Sequence, residues 1–206
     1  MTPFRQLTAR ACALPLSSID TDQLIPARFM KRSRAEGYGG YLLHDLRFDE
    51  SGAPRPDFPL NDPACAGAGV LVARRNFGAG SSREAAVYAL VDYGIRCVIA
   101  PSFGDIFASN GVNNGLLPAR VSETDGEALI AAIQAGTREL SVDLEAGTVT
   151  AGDLTVAFTI DPVWRTKLLN GWDDIDLTLS HDDAIASFAE ADAQRRPWAT
   201  PHTSAS

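Results

Sequence analysis

Cysteine is scarce in this chain, and basic residues are outnumbered. Only Cys12, Cys65 and Cys97 occur among 206 residues. An odd number at such wide spacing provides no disulfide framework, no CxxC pair and no cluster-binding pattern. A reducing, cytoplasmic setting is the expectation, and any metal or cluster the protein needs must come from elsewhere. Lysine and arginine number 18 against 26 acids, for a formal charge of −8. The strongly basic face of a nucleic-acid module is therefore missing. No apolar run approaches the length of a membrane span, so neither nucleic acid nor membrane is expected as a partner. Residues 1–16, MTPFRQLTARACALPL, carry two arginines and no acid, as transit peptides do. They lack the apolar core of a secretory signal, and their alternation suits a first strand.

What is present reads as an α/β domain. A strand is expected over 4–16. Residues 28–34, RFMKRSR, concentrate Arg28, Lys31, Arg32 and Arg34 without an acid, and from there to Pro63 the chain is rich in Gly, Pro and Asp. That composition predicts a long loop with short pieces, and long loops in compact domains tend to be mobile or functional. The four cations suit either a solvated surface or a segment that orders over a dianionic substrate or against a partner. A strand at 70–74, a helix at 82–93 closed by Gly94, a strand at 96–100 and a helix opened by Pro101 and Ser102, with Asp105 as cap partner, make a parallel βαβ series. After a helix near 123–136, the segments 140–144, 148–150 and 154–160 alternate between Gly147 and Gly152 as antiparallel hairpins. Two helices follow, the last starting at Ser180. Residues 173–192 hold seven acids and no Lys or Arg, a solvated face rather than a metal site. The end from Pro197 is expected to be disordered.

The chemistry concentrates in NFGAGSSREAA, residues 76–86. Ser81-Ser82-Arg83-Glu84 fits S-x-x-E, so its plainest role is a capping box in which Ser81 accepts from the Glu84 amide. Gly78 and Gly80 fill two places of G-x-G-x-x-G, but Arg83 stands where the third glycine must let helix and strand approach. No GK[ST] follows, and no glycine lies two residues beyond either serine, which excludes the nucleophile elbow. His44, His181 and His202 offer no recognisable base for a hydrolase. Asp20 and Asp22 lack the glycine and third ligand of a calcium loop. What survives is an anion site: helix amides, glycines that expose backbone, and Arg83 as a bidentate carboxylate donor. It suits a small carboxylate and proton transfer at an activated serine.

Several motifs then occur together in order: Asp20-Thr21-Asp22-Gln23-Leu24-Ile25-Pro26-Ala27-Arg28-Phe29, Asn76-Phe77-Gly78 with Gly80-Ser81-Ser82-Arg83-Glu84, VIAPSFGDIF, NNGLLP, FTIDP and LTLSHDDAIASF. Together they resemble the small subunits of 3-isopropylmalate dehydratases, in the aconitase superfamily, over nearly the whole chain. The resemblance implies a swivelling β/β/α domain over 1–196 with a parallel βαβ core and extra antiparallel hairpins. It also implies a two-subunit hydro-lyase of leucine biosynthesis, acting on a small dicarboxylate. Its large subunit would carry a [4Fe–4S] cluster whose open iron is a Lewis acid for the leaving hydroxyl, while this chain binds no cofactor. By position, Ser81 matches the serine that takes the proton alpha to a carboxylate. Ser82 and Arg83 match residues that hold the carboxylate and developing charge. Asp22 matches an active-site aspartate, and Gly80 supports the loop. The chain departs from the family at Ala79 and Ala86, where cysteine and histidine are usual. The alternatives are the same machinery acting on citraconate, dimethylmalate or homoaconitate, and a non-catalytic ligand-binding module, against which Arg83 counts.

Overall fold

The computed structural model describes residues 1–199. In chain order its elements are β1 (Gln6–Leu14), α1 (Thr21–Leu24), α2 (His44–Arg47), β2 (Val70–Ala73), α3 (Glu84–Tyr93), β3 (Cys97–Ala100), α4 (Asp105–Asn113), β4 (Leu117–Arg120), α5 (Glu123–Gln134), β5 (Glu139–Asp143), β6 (Thr148–Ala151), β7 (Leu154–Ala157), α6 (Pro162–Asn170), α7 (Asp174–Leu179) and α8 (Asp182–Arg195). The strands form one seven-stranded sheet in the order β4-β3-β2-β1-β5-β6-β7.

Strand β1 joins two kinds of sheet, and its sequence shows why. Gln6 to Arg10 alternate between exposed and half-buried, whereas Ala11 to Leu14 are all buried. The alternating half pairs antiparallel with β5, Gln6 opposite Asp143 and Arg10 opposite Glu139. The buried half pairs parallel with β2, Ala11 opposite Val70 and Leu14 opposite Ala73. A parallel sheet covered on both faces needs continuous apolar strands, while an antiparallel one with a wet face needs alternation.

Successive residues of β1 to β3 serve opposite faces. Cys12, Leu14, Leu71, Ala73, Val98 and Ala100 pack with α1, α3, α4 and the segment 38–68. Ala11, Ala13, Val70, Val72, Cys97 and Ile99 pack with α5, α6 and the antiparallel strands. The connections β2-α3-β3 and β3-α4-β4 bring the loops after β1, β2 and β3 to one edge, the carboxyl ends of the parallel strands, where α/β sheets bind ligands.

Several local expectations need correction. Helix α3 starts at Glu84 rather than 82, with Arg83 as N-cap and no side-chain cap bond. The S-x-x-E box is thus not formed, because Ser81 and Ser82 belong to the preceding loop. Ser102 does not cap α4, whose N-cap is Gly104. Its hydroxyl accepts instead from the Asn76 amide at 2.8 Å. Ser180 closes α7, and α8 starts after His181. The short pieces within 28–63 are α2 and 3-10 turns at Ala27–Lys31, Arg34–Glu36, Gly39–Tyr41 and Pro59–Asn61. Of the tail expected to be disordered, Pro197–Ala199 form a 3-10 turn. The remainder, with His202, lies outside the described residues. Gly94 does close α3, at φ +110°, donating to Leu90 and Val91.

Candidate active site

The loop from Arg74 to Arg83 is held by its backbone against the two neighbouring loops. Gly78 N donates to Ile19 O at 2.7 Å and Thr21 N to Ala79 O at 2.9 Å. On the other side Phe77 N donates to Ser102 O and Gly104 N to Phe77 O. Thr21, 1% exposed, donates its hydroxyl to the Ser81 carbonyl at 2.9 Å. Gly78 is required twice over: its φ is +71°, and a Cβ would lie 2.2 Å from the Phe107 ring. Gly80 has room for a Cβ, but its φ of +98° disfavours other residues.

This scaffold presents Ser81 and Ser82 to solvent, and neither hydroxyl forms a hydrogen bond among the described residues. The first turn of α3 beside them carries no side-chain cap; the Ala86 amide donates to Arg83 O, which leaves the Glu84 and Ala85 amides for an anion. Arg83, half-buried, is ion-paired through Nη1 with Asp22 Oδ1 at the start of α1. That nitrogen is buried yet lacks hydrogen-bond geometry to any acceptor. Asp22 therefore holds the guanidinium in place through that nitrogen, and a carboxylate clamp would use the other donors of the fork. The sequence-chosen residues Asp22, Gly80, Ser81, Ser82 and Arg83 come together at one point.

The basic segment lies elsewhere along α3. Arg34 sits 3.8 Å above the Tyr88 ring and pairs with Asp92 at 3.1 Å, both on that helix. Arg28 forks onto Asp45, one of its bonds measuring 2.8 Å, and holds that carboxyl at about 2, well below its ordinary value. Arg32 pairs with Glu36 at 3.6 Å. Lys31 alone of the four makes no ion pair among the described residues. A cleft of about 190 Å³ lined by Arg74, Arg75, Glu123 and Glu127, and another of about 380 Å³ lined by Arg120, Asp161 and Trp164, do not include Ser81 to Arg83. The serine–arginine site is an open surface.

The thiols do not fit an iron–sulfur cluster. Cys12 and Cys65 lie buried in one core and Cys97 in the core across the sheet, and burial pushes the Cys12 and Cys97 thiols far above their ordinary values. Among the described residues no group of three or more His, Cys, Asp or Glu is placed to hold a metal.

A family model described as the aconitase C-terminal domain matches residues 1–124, and one for the C-terminal domain of 3-isopropylmalate dehydratase small subunits matches 174–201. A third, described as LeuD_N, matches 127–162. The 3-isopropylmalate dehydratase small subunit of Rhodospirillum centenum is 47% identical over 201 residues, covering 97% of this chain and 99% of that one. The chain belongs to the 3-isopropylmalate dehydratase small-subunit family. The small subunit of Shouchella clausii is 45% identical over 188 residues, 91% of this chain and 95% of that one. A solved 3-isopropylmalate dehydratase structure from Methanocaldococcus jannaschii covers 89% of this chain and 99% of its own, with TM-score 0.61 at 24% identity, and shows the same fold. A small subunit of an aconitase-type dehydratase implies a larger partner. Among the described residues no helix is long and apolar enough to cross a membrane.

Within this dehydratase family frame, Ala86 is wholly buried in the core beneath α3 and Ala79 bridges Asp20. Sequence reasoning missed Thr21, whose burial and bond to Ser81 are invisible in TDQ. It also missed Glu84, which accepts from Asn114 Nδ2 at 3.0 Å instead of capping its own helix.

Proposed function

We propose that this chain is the small subunit of a two-subunit dehydratase that interconverts 2-isopropylmalate and 3-isopropylmalate in leucine biosynthesis. The observation that carries this reading is the meeting of an exposed Ser81 hydroxyl, unbonded among the described residues, with Arg83, held by Asp22, at an uncapped helix start. Arg83 and Ser82 clamp a substrate carboxylate, and Asp22 keeps Arg83 oriented until then. Gly80 leaves the backbone open to the substrate. Ser81, as alkoxide stabilised by the helix amides and the guanidinium, accepts the proton from the carbon alpha to that carboxylate. The electrons of the broken C–H bond form the double bond as the hydroxyl on the neighbouring carbon departs. Rehydration in the opposite sense places the hydroxyl on the other carbon, with Ser81 returning the proton.

The [4Fe–4S] cluster belongs to the large subunit, since the thiols here do not fit one, and hydroxyl departure is no task of this chain's residues. Arg28, Lys31, Arg32 and Arg34 border the substrate or that subunit, Lys31 being the one of the four without an ion pair among the described residues. The test is copurification with the large subunit and an assay over hydroxy-diacids. Turnover of isopropylmalate by the complex, and by neither chain alone, is expected. Turnover by the isolated, metal-free chain, or preference for citraconate, dimethylmalate or homoaconitate, would overturn it.

A further inference from the structure

Helices α7 and α8 present a surface that the described residues do not cover. No residue of α8 is buried. On it Ile185 and Phe188 are 45% and 64% exposed, and on α7 Ile175 and Leu179 are 69% and 61% exposed. Spacings of three and four put each pair on one face of its helix. A helix as short as α8 is marginal in water without a face to pack, so its sequence is written for a partner.

Charge says which kind. Seven acids and no Lys or Arg lie between Asp173 and Asp192. Among the described residues only Asp174 and Asp192 of these enter ion pairs, with Lys167 and with Arg195 and Arg196. Two copies of this face would oppose like charges, which disfavours a homodimer through it. An apolar groove rimmed by lysine or arginine complements it.

Position says which partner. Asn114 bonds Glu84, the residue after Arg83, and adjacent Asn113 donates to Asp174 at 3.4 Å. Buried Lys167 donates to the same Asp174 at 2.6 Å and to Asn113. The end of α4 therefore ties the start of α7 to the start of α3, on the flank of the open site. We propose that α7 and α8 are the dock for the large subunit, which meets them with a basic-rimmed apolar groove and so is carried over Ser81 to Arg83. The proposal rests on the two-subunit reading above.

The test uses the full chain and purified large subunit. Ile185→Ser with Phe188→Ser, and separately Asp182→Lys with Asp183→Lys, are titrated against that subunit at low and high salt. Each double variant is expected to bind about tenfold more weakly or worse, the charge-reversed one recovering in part as salt rises. Thermal melting should change little, since Ile185, Phe188, Asp182 and Asp183 are all exposed. Turnover at saturating large subunit should return to the wild-type value, and α8 amides should gain exchange protection only in the complex. Ser81→Ala should assemble normally. Unchanged affinity of both variants, unprotected α8 amides in the complex, or variants that only dissociate a homodimer would overturn the dock. If variant-dependent assembly is seen without isopropylmalate turnover, the dock stands and the substrate reading fails. If the wild-type chain does not bind the large subunit, both fall.

Discussion

Replacing Ser81 by alanine separates a hydroxyl from the helix that follows it. Because Arg83 is the N-cap and Ser81 makes no capping bond, the change should move stability by no more than about 0.5 kcal/mol. The usual loss of a cap, about 1 kcal/mol, is not expected. Turnover of the assembled complex should fall by about 10²-fold or more if Ser81 is the proton acceptor. Urea unfolding of the chain and steady-state kinetics of the complex measure the two effects. Arg83→Lys keeps the charge beside Asp22 but loses the planar fork, so a raised KM and reduced kcat/KM are expected. Near-normal kinetics for both variants would make the stretch a helix start and nothing more. The residues themselves were legible in GSSRE and TDQ. Whether the serine capped the helix was not, because S-x-x-E describes a cap and a loop equally well until the backbone chooses.

At the scale of elements, the 76–83 loop depends on small residues where backbones or rings meet. Gly78→Ala must leave φ +71° or displace the Phe107 ring. A cost of about 1–3 kcal/mol is expected from calorimetric unfolding. The segment around Arg28 should respond to acid. Its partner Asp45 has a folded value of about 2, below the usual carboxylate range. The stabilisation is therefore fully present above pH about 4 and is lost as pH falls toward 2. Both side chains are 54% exposed, so screening limits the effect to less than about 1 kcal/mol. Amide exchange over residues 28–45 should quicken across that range in wild type, and Asp45→Asn should show the fast rate throughout. The same exchange measured with large subunit and substrate tests the substrate-loop reading: slowed exchange at 28–34 supports it. The gross element order was legible from periodicity. The kind and bounds of the pieces inside 28–63 were not, since short 3-10 turns carry no hydrophobic period and are held by tertiary pairs such as Arg34 with Asp92.

Across the whole molecule, the sheet separates two cores, and the thiols lie within them. Cys12 and Cys97 are 0% exposed, and burial holds both far from the reactive thiolate. A thiol reagent at pH 8 should leave these two unmodified in the native chain and titrate all three after denaturation. Rapid native modification of Cys97 would contradict the packing described.

By itself the sequence determined the parallel βαβ core, the antiparallel extension, and the gathering of small residues, serines and an arginine at one turn. These follow from local periodicity, glycine placement and the switch in β1 from alternating to continuous apolar residues. Tertiary structure alone decided that Asp22, sixty-one residues before Arg83 in the chain, is its counter-ion, and that buried Thr21 carries the Ser81 backbone. It also decided that α8 buries no face against the described residues. Those outcomes depend on which loops the sheet order brings side by side, and on how much apolar surface is already covered when the last helix is reached.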